Sequence, residues 1–351
     1  MRDVARRSGV SVATVSNVLH NTAPVAEPTR LRVLEAIEQL GYRQNEVARS
    51  LKRQTTHTLG VSIPDSLNPF HATLALEVER RAHRDGFAVL VAETENDPET
   101  EMAQVRALVG RRVDGVIFPA VTAGSAIPSE LLDRGIPVVV VSFEGQDERL
   151  GIIAVDEFAA MDEVVEHLLS LGHRRIAIIK GSARNYDAAE RLRGYRLALR
   201  DAGISRDPSL ERDGNFTEAA GYAAVQELLA LEDRPTAIFA ANDSMAIGAL
   251  SALRESGVSV PDEVAVAGFD DIPLARYMDP PLSSVHVPIC ELGARAVDLL
   301  LHGIEHKNDH PRRRERVSTK IVIRRSTGAE SGASAGRPPP ITTKRGMQSV
   351  G

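Results

Sequence analysis

Two hydrophobic rhythms divide the 351-residue chain. Over residues 1–45 apolar positions recur every three or four residues with no strand-like run, which predicts short helices. Asp3–Ser8 fills one helical turn and more, and Gly9 suits the left-handed residue that closes it. Ser11 is a good N-cap for a second helix over 12–19, with Val12, Val15, Val18 and Leu19 on one stripe. His20–Pro24 breaks the pattern. Pro28 then opens a third helix over 28–40, with Leu31, Leu34, Ile37 and Leu40 at helical spacing and Gly41 at its end. Helix, glycine turn, helix, loop, helix is a helix-turn-helix layout.

From Leu59 the rhythm changes. Apolar runs recur at Leu59–Ile63, Phe87–Val91, Val113–Phe118, Val138–Val141, Ile176–Ile179, Ala237–Ala241 and Val264–Phe269. Helix-like segments over 71–84, 99–110, 157–171, 188–202, 217–231 and 244–256 lie between or after them. Continuous rather than alternating apolar strands, separated by helices, predict parallel sheets covered on both faces. Short late runs at Ser284–Val287 and Val317–Ile323 return the chain to earlier sheets. From Thr327 the chain is rich in Gly, Ala, Ser and Pro, with Pro338-Pro339-Pro340, and reads as a disordered tail over 327–351.

Composition adds an asymmetry that the mean conceals. A 43% hydrophobic and 26% charged chain is globular, and its net charge of −6 by itself suggests no polyanionic partner. Yet residues 1–54 hold nine Lys/Arg against five acids, net +4, whereas 55–326 carry −12 and the tail +2. A basic head on an acidic body points to nucleic acid. The single cysteine, Cys290, allows neither an intramolecular disulfide nor a multi-cysteine zinc site, and it reads as a buried residue. MRDVARRSG has no apolar signal region, and no stretch approaches the roughly 18 apolar residues of a membrane span. A cytoplasmic location with no membrane partner is therefore expected. With no Trp and 4% aromatics, a ligand pocket has few rings to stack on.

The candidate chemistry begins on the second helix. Ser11, Ala13, Thr14, Ser16 and Asn17 make a small, polar outward face. Hydroxyls and amides reach phosphates and base edges, and short side chains let a backbone approach a major groove. The plainer reading is a three-helix subdomain with a solvated face. Residues Asp3–Leu19, Pro28-Thr29-Arg30 through Leu40-Gly41-Tyr42, and Asn45–Leu51 decide between them. Together they resemble the DNA-binding head and hinge of the LacI/GalR family of transcriptional regulators. The likeness runs on to about Thr327 through Ile63–Phe70, Leu171–Ile176, Arg191–Tyr195, Ala241-Asn242-Asp243 and Gly268–Asp271.

That resemblance implies a multi-domain protein. An all-α helix-turn-helix head (1–44) and a hinge helix with linker (45–57) precede an α/β core (58–326) resembling periplasmic sugar-binding proteins. The core's two parallel-sheet subdomains are expected at about 58–157 plus 288–316 and about 158–287 plus 317–326. The family implies that Val12, Ala13 and Asn17 face bases while Thr14 and Ser16 face phosphates. Asn17 stands where Arg is frequent, and Asn pairs with adenine where Arg prefers guanine, so the half-site is expected to differ at that base. Within the hinge, Asn45 and Ala48 contact DNA and Leu51 wedges into a minor-groove step; a segment this short folds only on DNA. The usual Thr cap of the first helix is missing, so that helix is expected either to fray or to follow a misassigned start.

Ligands in open parallel sheets sit beyond the carboxyl ends of strands. Asp65, Asn68, Phe70, Phe143, Asn242 and Asp270 follow predicted strands, and Arg191 and Phe216 join them as candidates. Carboxylates and Arg suit sugar hydroxyls, and the Phe rings suit an apolar sugar face. Turn-capping Asx residues and core Phe are the plainer alternatives; the family motif places Asp270 and Arg191 on the effector. His302, His306 and His310 at four-residue spacing are crowded by Lys307 and Arg312–Arg314 and read as no metal site. His173 reads as a structural turn, and Gly181 and Gly268 as turn glycines. Phosphate-loop, dinucleotide and nucleophile-elbow motifs are absent, so neither an enzyme nor a cofactor is expected. The expectation is a homodimeric regulator, usually repressing, that binds a palindromic operator in double-stranded DNA under control of a small effector, a sugar. A transporter's solute-binding protein and a sugar-modifying enzyme are the rivals. The basic head opposes the first, and the lack of a catalytic constellation opposes the second.

Overall fold

A computed structural model describes residues 1–20, 23–42, 55–119, 125–141, 147–182, 184–306 and 313–328. The hinge positions Asn45, Ala48 and Leu51, together with Phe143, His310 and residues 329–351, lie outside the described residues. The chain forms two compact units, Met1–His57 and Thr58–Gly351.

The head has three helices, α1 (Arg2–Ser8), α2 (Val12–His20) and α3 (Glu27–Gln39). Gly9 is left-handed with φ 68° and closes α1 through its N–H to the Ala5 carbonyl. No side chain caps the start of α1, which begins directly after Met1. Ser11 Oγ caps α2 by accepting from the Thr14 amide at 3.0 Å. The core of this unit is small: Val4, Ala5, Val15, Val18, Val33 and Ala36. Two expected stripes need correction. Val12 is 43% exposed and off the buried face of α2, while Leu31 at 59%, Leu34 and Leu40 are exposed on α3. On α3 the buried face runs through Val33, Ala36 and Ile37 instead. A helix with apolar residues on two faces can bury either, and the packing of α1 on α3, tied by Arg7 to Gln39 Oε1, decides.

The second unit is α/β. Its first sheet holds β1 (Thr58–Ile63), β2 (Ala88–Glu93), β3 (Gly115–Phe118), β4 (Val138–Val141), β5 (Gly151–Val155) and β11 (Arg314–Val317), all parallel. The second holds β6 (Ile176–Ile179), β7 (Glu211–Arg212), β8 (Ala237–Ala240), β9 (Ala265–Asp270), β10 (Ser283–His286) and β12 (Lys320–Val322), with β12 alone antiparallel. Helices α4 (Pro69–Arg84), α5 (Pro98–Gly110), α6 (Ile127–Asp133) and α11 (Ile289–Glu305) belong with the first sheet. Helices α7 (Glu157–Ser170), α8 (Tyr186–Asp201), α9 (Glu218–Leu229) and α10 (Asp243–Glu255) belong with the second. Central strands are buried along their whole length, which is why they read as continuous apolar runs.

The chain crosses between subdomains after β5, after β10 and after β11. The run Val317–Ile323, read as one strand, is two: Val317 pairs with Val155 in the first sheet, and Lys320 pairs with His286 in the second. Val317 thus belongs to the first subdomain, one residue later than expected. The ordered chain also continues past 326: Ser326 and Thr327 are buried, and Ser326 Oγ donates to the Val266 carbonyl at 2.6 Å.

Helices α9 and α10 meet backbone to backbone. A Cβ on Gly248 would lie 1.9 Å from the Glu218 carbonyl oxygen, and one on Gly221 would lie 2.1 Å from that of Met245. Only a shift of a whole helix could make room. Gly248→Ala is expected to destabilise the core by about 3 kcal/mol, at the upper end of ordinary overpacking costs. Urea unfolding of the two proteins measures it, and a loss under about 0.5 kcal/mol would show that the helices part freely.

Candidate functional site

The head presents α2 as a candidate nucleic-acid face. Val15 and Val18 point into the small core, which turns Val12 and Ala13 to solvent and leaves Thr14, Ser16 and Asn17 half-buried. The Thr14 hydroxyl is hydrogen-bonded to Ser11 Oγ at 2.9 Å, so its donor and acceptor directions are set by the cap. Ala13 is exposed and Ser16 and Asn17 are half-buried on the outward side that the sequence picked out, and Val12, placed by its spacing on the apolar stripe, is exposed with them.

In the core, one cleft between the subdomains, about 650 Å³ counted with the solvent it opens to, gathers Asp65, Asn68, Phe70, Arg191, Phe216, Asn242 and Asp270. Every candidate among the described residues is there, although the seven are spread over more than 200 positions. Strand ends bring them together: the turn after β1 holds Asp65 and Asn68, Asn242 follows β8, and Asp270 ends β9. Helix α8 runs past them with Arg191 on its inner face.

Several of these side chains are already committed. Asn68 Oδ1 accepts from the Phe70 amide as the cap of α4, and Asp65 Oδ1 accepts from Leu67 N–H at 2.8 Å. Asn242 caps α10 through the Met245 amide, and its Nδ2 donates to the Phe216 carbonyl at 3.0 Å. Asn242 is thus both a capping residue and a wall of the cleft, and it holds Phe216 in place. Phe216 has φ 67° and lays its ring on Gly181, whose Cβ would stand 2.1 Å from Cζ. Gly181 is therefore a seat for an aromatic ring rather than a turn glycine. Gly268 also sits within a strand, because a Cβ there would meet Asp243 Oδ1 at 2.2 Å. Neither glycine has a positive φ.

Arg191, 7% exposed, is the charged centre of the cleft. Its Nε and Nη2 donate to the two Glu157 oxygens at 2.7 and 3.1 Å, and Nη1 donates to the Ala241 carbonyl at 2.5 Å. The Phe269 ring lies 3.6 Å beneath the guanidinium. Burial works against its charge, but the Glu157 carboxylate outweighs that and holds Arg191 protonated above its ordinary range. Such a bidentate pair is strong in a low-dielectric site. Asp270 is held well above the usual carboxylate range by burial, although Arg191 pulls the other way. It ends its strand at φ 105°, and Asp271 follows at φ 53°. Left-handed backbone at two successive non-glycine residues costs about 1–3 kcal/mol each. Surrounding bonds fix it: the Asp271 amide donates to Ser284 Oγ, and its carboxylate receives Arg324 at 2.6 Å and His286 at 3.0 Å.

Sequence reasoning missed Glu157 and Asp187, both of which line the cleft. Glu157 starts a helix and reads as a dipole-compensating acid. Asp187 sits one turn before Arg191 on α8, so an i, i+4 pair was its legible signal. His71 also lines the cleft, and burial depresses its imidazole to about 4.

Cys290 is exposed rather than buried, and its thiol is pushed up by partial burial and by Glu77. His302 and His306 stack at 4.2 Å with His306 Nδ1 against the His302 carbonyl, and no metal-holding group of His, Cys, Asp or Glu occurs among the described residues. His173 bonds Thr236 Oγ1 at 3.0 Å between helix and strand. No helix among the described residues is long and apolar enough to cross a membrane.

Comparison with known proteins finds relatives of both units. Residues 1–45 match the family model described as bacterial regulatory proteins, lacI family, and 165–327 match a periplasmic binding protein-like domain. The HTH-type transcriptional repressor PurR of Aliivibrio fischeri strain MJ11 is 36% identical over 330 residues, covering 93% of this chain and 97% of the relative. PurR of Haemophilus influenzae strain PittEE is 35% identical over 333 residues, covering 93% and 98%. Among solved structures, the lac repressor dimer bound to operator and the anti-inducer ONPF is 29% identical with a TM-score of 0.84, covering 93% of this chain and 98% of that one. A complex of the transcriptional regulator CelR with cellobiose is 32% identical with a TM-score of 0.72 and the same coverage. With its head, its two-subdomain core and nearly its whole length in common with these repressors, the chain belongs to the LacI family of bacterial DNA-binding transcriptional regulators.

Proposed function

We propose that this regulator is a cytoplasmic homodimeric repressor that binds a palindromic operator and whose operator affinity is set by a sugar held in the core cleft. The observation that carries the ligand half is the convergence of Arg191, Asp270, Asn68 and Asp65 with the Phe70 and Phe216 rings in one cleft. Polar groups around two small aromatic faces suit a ring that is hydroxylated at its rim and apolar on its faces. The cellobiose-bound and operator-bound relatives support the same reading. The cleft lies where the chain crosses between subdomains, since Val155, Glu157 and Val287 line it. A ligand that favours closure there shifts the two subdomains against each other, which couples one site to another through two global states.

Calorimetric titration of the full chain with monosaccharides, disaccharides and nucleosides tests the ligand. A sugar that binds and changes operator affinity supports it; a nucleoside that does so in place of every sugar overturns it. Turnover of any bound sugar would restore the enzyme reading.

On the DNA side, Asn17 is proposed to read a base. Asn17→Ala is expected to cost about 1–3 kcal/mol and to relax preference at one symmetric pair of operator positions. Binding to a library of half-site variants measures this, and a uniform loss at every sequence would mark a backbone contact instead.

A further inference from the structure

The charges around the cleft are unevenly matched. Among the described lining residues Arg191 is the one permanent cation; each of its three nitrogens already donates one hydrogen bond, two of them to Glu157, whose carboxylate neutralises its charge. Asp187 and Asp270 are left without a cation of their own. Asp270 is 5% exposed, yet no hydrogen bond among the described residues reaches its carboxyl. Asp187 Oδ1 is buried with no hydrogen-bond partner among the described residues. Asp65 adds a third acid across the cleft, and His71, whose buried imidazole is depressed to about 4, adds no positive charge at neutral pH.

Buried polar groups are ordinarily paired, so two open carboxyls facing one cavity point to a ligand that completes them. A ligand hydroxyl or amine can donate to them. A fully ionised phosphate or carboxylate has no hydrogen to give them, and it brings a desolvated negative charge into a cleft whose single guanidinium is already neutralised by Glu157. We infer that Asp187 and Asp270 set the charge specificity of the effector site: the effector brings hydrogen-bond donors and no anionic group, and phosphorylated or carboxylated forms of the same molecule are refused. This deepens the sugar reading and rests on it only for the choice of scaffold.

The ligand-free protein should show the same imbalance. Burial, with Glu157, Asp270 and Glu190 nearby and only Arg191 opposing, holds Asp187 well above the usual carboxylate range. Asp270 is raised by burial and by Asp243 and Glu157 against the same arginine. A carboxyl whose pKa is higher folded than unfolded contributes stability below its unfolded value and loses it as pH rises toward the folded one. Wild type should therefore lose stability above about pH 4 that an Asp187→Asn/Asp270→Asn variant keeps.

The test uses the full-length chain and matched ligands: glucose with glucose 6-phosphate and glucuronate, cellobiose, and adenosine with AMP. Each scaffold that binds is expected to lose at least about tenfold in affinity on gaining a phosphate or carboxylate, about 1.4 kcal/mol. Asp187→Asn, which keeps the shape but removes the charge and turns one acceptor oxygen into an N–H donor, should narrow that ratio by raising the relative affinity of the anionic member. An anionic form that binds wild type as tightly as its neutral parent overturns the inference. If adenosine binds and no sugar does, the sugar reading falls while the adenosine–AMP ratio still judges the charge rule. Thermal melts judge it independently of any ligand. The double variant is expected to melt above wild type at about pH 7 and level with it near pH 4. Parallel melting curves across that range would overturn the claim that these carboxyls are uncompensated.

Discussion

Removal of residues 1–54 is expected to abolish sequence-specific operator binding while the remaining core folds and keeps its cleft. The head is a compact unit with its own small core of Val4, Ala5, Val15, Val18, Val33 and Ala36. It also carries the net charge of +4 on an otherwise acidic chain. What remains is an acidic body that DNA phosphates repel, so both electrostatic attraction and base reading go together. The loss should reach about 10³-fold or more, the usual margin between specific and non-specific binding. Gel-shift titration against an operator selected from random sequence with the full chain measures it, and circular dichroism melting shows that the core has folded. Specific binding retained by the truncated chain would refute this division of labour.

Arg191→Ala is expected to be the most damaging single substitution in the core. Arg191 and Glu157 are 7% and 5% exposed, and removing the guanidinium leaves a buried carboxylate with no counter-charge. Breaking one side of a buried pair typically costs about 3–5 kcal/mol, far more than the pair itself contributes. The same change frees the Ala241 carbonyl and uncovers the Phe269 ring. Lysine should rescue little, because one ammonium cannot reproduce a two-point contact and a third bond to the Ala241 carbonyl. Exchanging both partners, Arg191→Met with Glu157→Gln, should cost less than Arg191→Ala alone, since no buried charge is stranded. Urea unfolding of the three variants decides. A loss below about 1 kcal/mol for Arg191→Ala would mean that water reaches Glu157 and compensates it. If the proposed effector site is correct, Arg191→Ala also abolishes the effector response of operator binding.

The shape of this protein was legible in its sequence wherever the signal was local and repeated. Helical spacing, Gly9 and Ser11 located the head helices to within a residue or two, because caps and periodicity act over a few positions. Short, largely apolar runs gave the buried strands β1, β4 and β6, since both faces of a parallel strand are covered. Even the cleft's membership was readable at strand ends, because ligands gather there for topological reasons. Tertiary structure decided the rest. It chose which apolar face of α3 is buried, and it split one apolar run into β11 and β12 in two sheets. It exposed Cys290, and it gave Gly181 and Gly268 their meaning through Phe216 and Asp243, which are distant in sequence. Glu157 reads as an ordinary first-turn acid until α8 sets Arg191 against it, 34 positions away. The dividing line is range. A residue's helix, strand or cap follows from its neighbours along the chain, whereas its charge partner, its burial and the volume a Cβ would meet follow from residues that only folding brings close.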